Sequence, residues 1–254
     1  MSIIKRKFSQ NEEVYGIFSA LKDPAVVEIA DSAGYDFFVI DLEHSSLDMS
    51  TMENMIRAAD TANITSVVRT PQEDYGTILR VVEAGSDAVM VPHLTTKAQG
   101  TKIVSMAKYP PIGDRGVDAS TRAAKFIGGS SVKEHMKKQN DKLLVIGMIE
   151  DEEAVNNINE IVEVRGLDAL FIGPSDLSSS LGMPGQVTHP VVRDAMKTVI
   201  DKASKAGIKV GMPAFAKEQI QEAIDMGAKL ITTPPVDASF LYQSLKKHLD
   251  DIKS

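Results

Sequence analysis

A (β/α)8 TIM barrel occupying residues 1–254 as a single domain is the fold this sequence predicts, and three observations predict it. Eight short apolar runs recur along the chain, amphipathic or turn-rich stretches separate them, and no Ser/Pro/Gly-rich linker interrupts the alternation. The length of 254 residues is also that of one such barrel, about 250 residues. Several of the runs are β-branched and bounded by turn residues, as parallel strands buried on both faces should be.

The first two runs are Tyr15 to Phe18 and Phe37 to Ile40. After them Met49, Met52, Ile56 and Ala59 fall on one helical face, opened by a capping-box pattern from Ser50 to Glu53. Such a methionine stripe reads as core. The third and fourth runs are Ser66 to Arg69 and Ala88 to Val91. Lys108 to Asp141 then breaks the rhythm with two turn-rich motifs, YPPIGDRG and FIGGSS, in a connection expected on the barrel's lower face. The fifth to eighth runs are Leu143 to Ile149, Ala169 to Ile172, Lys209 to Met212 and Leu230 to Thr233, with a helix expected to begin at His189-Pro190. Leu241, Leu245, Leu249 and Ile252 repeat at helical spacing in an additional closing helix, which packs either outside its own barrel or on a neighbouring subunit.

A net charge of −7 provides no global footprint for nucleic acid or an anionic membrane, and the Lys-rich stretch KEHMKKQNDK reads as solvated surface. Cysteine is absent, which removes disulfides, thiolate metal ligands and thiol nucleophiles. The amino-terminal segment lacks the apolar core of a signal peptide and no run is long enough to span a membrane, so a reducing cytoplasm is the expected compartment.

Barrels bind ligands outside the carboxyl ends of their strands, so the residues just after each run matter most. They are Asp41, Glu43 and His44; Arg69; Pro92 and His93; Glu150; Gly173 to Asp176; Met212 and Pro213; Thr233 and Pro234. Glu150 and Asp176 end consecutive strands and aim two hard oxygen ligands into one crevice, which suits Mg2+ or Mn2+ in an open catalytic site. Arg69 offers a fork for a carboxylate and His44 a proton-transfer group, so the set points to chemistry on a 2-oxo acid. Each residue also has a plainer reading: Glu150 as a helix-terminus acid, Asp176 as an N-cap, Arg69 as the structural partner of Asp41, and His44 as a satisfied surface histidine. His93, His135, His189 and His248 lack ligand-type spacing. No lysine ends a run, which disfavours a Schiff base, and the turns after runs seven and eight lack the glycines of a barrel phosphate site.

The motifs FFVIDLEHSSLD, SVVRT, AVMVPHL, YPPIGDRGV, MIEDEEAV and FIGPSDLSSSLG, in this order, resemble the HpcH/HpaI aldolase group of the pyruvate- and phosphoenolpyruvate-binding barrel superfamily, from roughly Gly16 to the carboxyl terminus. The resemblance implies a divalent-metal (class II) aldolase that reversibly cleaves a 4-hydroxy-2-oxo acid to pyruvate and an aldehyde. It places metal-binding acids on Glu150 and Asp176, with Mg2+ or Mn2+ expected and Co2+ a further candidate. It also implies a pyruvate-binding arginine at Arg69 oriented by Asp41, a catalytic histidine at His44, and that histidine's acidic partner at Glu83, where relatives commonly carry Asp. The amides of Ser175 and Asp176, at the start of an expected helix, are candidate substrate contacts. A homo-oligomer is implied as well, a hexamer built as a trimer of dimers with the last helix exchanged. Two departures bear on the pocket: Met148 stands where Gln is common, and Leu42 where a small residue is common. The competing readings are oxaloacetate decarboxylation at the same site and metal-dependent 2-oxo acid binding without turnover.

Overall fold

The structure is a computed structural model describing residues 2–126, 131–234 and 236–253. Its eight strands are β1 (Val14–Ser19), β2 (Phe37–Asp41), β3 (Thr65–Arg69), β4 (Ala88–Val91), β5 (Leu144–Ile149), β6 (Ala169–Ile172), β7 (Lys209–Pro213) and β8 (Leu230–Thr232). They pair in parallel in chain order, and β8 returns to β1, so the sheet closes on itself. The helices are α1 (Ile3–Ser9), α2 (Pro24–Ser32), α3 (Met49–Ala62), α4 (Tyr75–Glu83), α5 (Lys97–Ala107) and α6 (Val132–Lys142), followed by α7 (Glu152–Asn156), α8 (Ile158–Ile161), α9 (Pro174–Ser180), α10 (Pro190–Lys205), α11 (Lys217–Met226) and α12 (Asp237–Lys253). Among the described residues no helix is long and apolar enough to cross a membrane.

Strand residues alternate between two apolar regions because successive side chains leave opposite faces of the sheet. Phe37, Val39, Val67, Met90, Ile146, Met148 and Phe171 fill the barrel interior, while Phe38, Ile40, Val68, Val89, Val145, Ile149 and Ile172 face the helices. Leu42 joins the outer region. Its replacement of a small residue therefore fills space behind the barrel wall, whereas Met148 lies inside.

The amino-terminal face is closed by α1, whose Ile4 is fully buried in the interior cluster with Phe8 packed beside it. Three aspartates that immediately precede strands tie this face together. Asp36 accepts from the Tyr15 amide at 2.9 Å, Asp87 from the Ser66 amide at 3.1 Å and Asp168 from the Val145 amide at 2.8 Å. Each joins the start of its own strand to that of the preceding strand. Burial pushes the Lys108 ammonium down from its ordinary value, yet its Nζ donates to the carbonyls of Asn140 and Leu143 near the carboxyl end of α6.

Two local expectations change. The cap of α3 is Asp48, whose Oδ1 accepts from the Thr51 amide at 2.8 Å; Ser50 lies inside the helix and Glu53 pairs with Arg57. The stretch from Lys108 to Asp141 contains α6, and two of that helix's residues, His135 and Asn140, are buried, so KEHMKKQNDK is only partly solvated. Most of the FIGGSS motif, residues 127–130, lies outside the described residues. The apolar stripe of α12 is uncovered: Leu241, Leu245, Leu249 and Ile252 are all about half exposed or more.

Candidate active site

Parallel register decides which residues meet at the carboxyl-terminal mouth. Asp41 is the ladder partner of Arg69, and Ile149 that of Ile172, so Glu150 and Gly173 follow side by side. Arg69 Nε donates to Asp41 Oδ1 at 2.8 Å and Nη2 to Oδ2 at 2.6 Å, a two-point fork in a buried setting. Arg69 Nη1 lies 3.1 Å from Glu43 Oε2, and the guanidinium carbon sits 4.9 Å from the centre of the Phe18 ring. Burial opposes the charge on Arg69, but Asp41, Glu43 and Glu150 outweigh it and hold the guanidinium above its ordinary pKa. A guanidinium has five N–H donors, so one on each terminal nitrogen remains for a ligand. Asp41 also accepts from the amides of Glu43 and His44 at 3.0 and 3.4 Å, which folds the D-x-E-H turn around the arginine.

Glu150 is 2% exposed. Its Oε1 accepts from the His93 amide at 2.8 Å, and Oε2 lies 2.6 Å from where a Cβ at Gly173 would stand. Burial is the main reason its carboxyl is pushed up; Glu43 and Asp176 add like-charge repulsion, against the His93 contacts that lower it. Asp176 is exposed in the first turn of α9, beside exposed Ser175. Gly173, not Asp176, occupies the N-cap position of α9, and Asp151, not Glu150, that of α7, so neither Glu150 nor Asp176 serves as a helix cap. Exchanging Gly173 for Ala should displace Glu150, cost about 1–3 kcal/mol of stability by overpacking and lower activity. Chemical denaturation and turnover measured together check this.

His93 is the residue that sequence spacing overlooked. It has a left-handed backbone, φ 53°, unusual for a side chain with a Cβ. That conformation points its amide at Glu150, while Nδ1 lies 3.1 Å from Asp151 Oδ2 and 3.5 Å from Glu150 Oε1. Burial lowers the imidazole pKa, but Asp151, Glu150 and Glu43 together raise it above the ordinary value. The signal available beforehand was only its place after the fourth run.

His44 stands at the rim with its side chain 66% exposed and Nε2 3.8 Å from Glu43 Oε2. It is open to a ligand from solvent. Glu83 does not join it. As the last residue of α4, which carries the chain back toward the amino-terminal face, Glu83 lies near Arg115 and Asp118, and burial raises its carboxyl. Within one chain the structure therefore separates Glu83 from His44, contrary to the expected dyad.

The mouth gathers Asp41, Glu43, Glu150, Asp151 and Asp176 against Arg69 and two histidines. Among the described residues no three of these groups stand close enough together to form a ready-made metal cluster, but the excess of carboxylate, with Glu150 buried and its charge opposed, is the oxygen-donor chemistry that a hard divalent cation would take. Beneath the polar groups the floor is apolar: Phe18, Met148 and Phe171 are nearly buried, with Phe18 and Phe171 edge to face at 5.8 Å.

Comparison with known proteins gives the chain a family. The sequence model of one family, described as HpcH/HpaI aldolase/citrate lyase, matches residues 14–234. The 2-keto-3-deoxy-L-rhamnonate aldolase of Escherichia coli (strain K12) is 31% identical over 251 residues, 98% of this chain and 92% of that protein. A crystal structure of an HpcH/HpaI aldolase/citrate lyase family protein from Burkholderia cenocepacia J2315 matches with a TM-score of 0.93 at 30% identity, covering 100% of both chains. The citrate synthase SbnG matches at a TM-score of 0.89 and 30% identity, over 98% of this chain and 96% of that one.

Proposed function

The chain belongs to the HpcH/HpaI aldolase/citrate lyase family and is a lyase of the aldolase type; from that premise we propose that it cleaves a 4-hydroxy-2-oxo acid to pyruvate and an aldehyde. The observation that carries this reading is the convergence of a forked, buried Arg69 and a buried Glu150 whose charge is opposed by burial at one mouth. Glu150 and Asp176 would hold a divalent cation, Mg2+ or Mn2+ with Co2+ a further candidate, whose charge stabilises negative charge developing at the 2-oxo group. Arg69 offers its two remaining N–H donors to the substrate carboxylate, and Asp41 keeps the fork oriented. His44, exposed beside Glu43, takes the proton from the hydroxyl at carbon four as the bond between carbons three and four breaks; the bonding pair passes to carbon three and the 2-oxo group, and return of one proton to carbon three completes pyruvate. The amides of Ser175 and Asp176, in the first turn of α9, are the candidate contacts for the substrate carboxylate. The apolar floor at Met148 suits the methyl end of pyruvate.

Pyruvate release from a panel of 4-hydroxy-2-oxo acids and from oxaloacetate, with Mg2+ or Mn2+ and again with chelator, tests the reading. Metal-dependent release from a hydroxy-oxo acid is the expected result. Release from oxaloacetate alone would make the enzyme a decarboxylase, and silence with retained pyruvate or oxalate binding would make it a binder.

Glu83 can partner His44 only across a subunit boundary, and the uncovered face of α12 supports an assembly of identical chains, a trimer of dimers in our reading. Mixing His44→Ala and Glu83→Gln subunits should restore part of the activity that each lacks alone. No restoration in verified hybrids would remove Glu83 from the mechanism.

A further inference from the structure

Asp237, the first residue of α12, is 5% exposed, and most of its bonds lie outside its own helix. Oδ2 accepts from the Ser19 hydroxyl, and Oδ1 accepts from the amides of Ala20 at 2.9 Å and Leu21 at 3.4 Å. Only the 2.6 Å bond from the Ala238 amide belongs to α12. An acid in this place would ordinarily do no more than cap its helix. Here three of four partners lie where β1 ends and turns outward.

That turn borders the site. Ser19 is the ladder partner of Ile40, which precedes Asp41, and Phe18 stacks against the Arg69 guanidinium. We infer that Asp237 is a positioning residue whose carboxylate fixes the β1 wall, and through Phe18 the Arg69 fork, in place for substrate. The inference rests on the reaction proposed above. Arg69 has one aromatic support, Phe18, and two carboxylate supports, Asp41 and Glu43. Moving the ring takes away the aromatic face on which the guanidinium lies while its ion pairs persist, so binding should suffer more than chemistry. α12 makes its principal contacts with β1, which makes Asp237 the joint between the exposed helix and the site.

The test compares Asp237→Ala, Asp237→Asn and Ser19→Ala in the full chain, by pyruvate-release kinetics and by hydrogen exchange over residues 16–24. Asp237→Ala should speed exchange in that segment alone and raise KM about tenfold, with kcat changed less, as the loss of a charged hydrogen-bond acceptor implies. Asp237→Asn keeps an oxygen for the two amides and should recover most of both properties. Ser19→Ala, which leaves the amide bonds in place, should raise KM about threefold. Wild-type KM and exchange in Asp237→Ala would overturn the inference. So would faster exchange throughout the barrel with no recovery in Asp237→Asn, since that describes a merely structural acid. Should Asp237→Ala fail to fold, wild-type KM and exchange in Ser19→Ala overturns it instead. Absence of pyruvate release from the unaltered enzyme would defeat the proposed reaction, while the exchange comparison would still decide whether Asp237 holds the wall.

Discussion

Glu150→Gln should lower turnover about a thousandfold or more while making the cation-free protein more stable by about 1 kcal/mol. Both effects have one cause. The carboxylate is buried, and its ionised form is opposed first by that burial and then by Glu43 and Asp176. Its folded-state pKa lies above the unfolded one, so in the intermediate pH range the folded chain binds more protons, and stability falls as pH rises from the ordinary glutamate range. The amide of Gln is neutral and its oxygen can still accept from His93, so this dependence disappears in the variant. It also lacks the charge that would hold a cation. Urea denaturation from pH 4 to 8 with chelator, alongside turnover with Mn2+, checks both halves. A variant with full metal-dependent turnover, or one less stable than the parent at pH 8, would contradict the assignment.

Arg69→Ala should cost about 3–5 kcal/mol of stability and remove measurable turnover, because it leaves Asp41 buried without its forked partner. Arg69→Lys separates charge from geometry. It keeps a cation near Asp41 and Glu43 but has no planar pair of donors, so it should recover part of the stability and little of the activity. Denaturation midpoints and kcat/KM for the three proteins would show this. Equal activity in the Lys variant would mean that charge alone suffices and that the fork is structural.

The barrel was legible because parallel strands buried on both faces leave uninterrupted apolar runs, and all eight predicted runs coincide with strands to within a residue or so. Helices without an apolar stripe were harder to see. The buried contacts of α6 come from His135 and Asn140, which simple hydropathy reads as surface, and α1 is seven residues long with only Ile4 fully enclosed. The mouth was legible in outline, since the residue after a strand can be read from the chain. What joins it there is not. The left-handed turn that aims the His93 amide depends on the path of the backbone, and the bond from Asp237 to Ser19 crosses 218 positions. The separation of Glu83 from His44 follows from the direction of α4, a property of folded space that a linear motif does not carry.

The closeness of Gly173 to Glu150 divides the mouth into parts that tolerate inheritance differently. At 2.6 Å from the carboxylate oxygen there is no room for even a methyl group, so position 173 cannot drift while Glu150 keeps its place. The turn at residues 42–48 is held mainly by Asp41 and a few local bonds, and His44 projects from it into solvent. Descendants of this enzyme selected for new aldehydes should therefore accumulate substitutions around the rim, His44 and Glu43 excepted, and leave the floor unchanged, and a laboratory library that randomises the remaining rim positions would sample most of the change open to it.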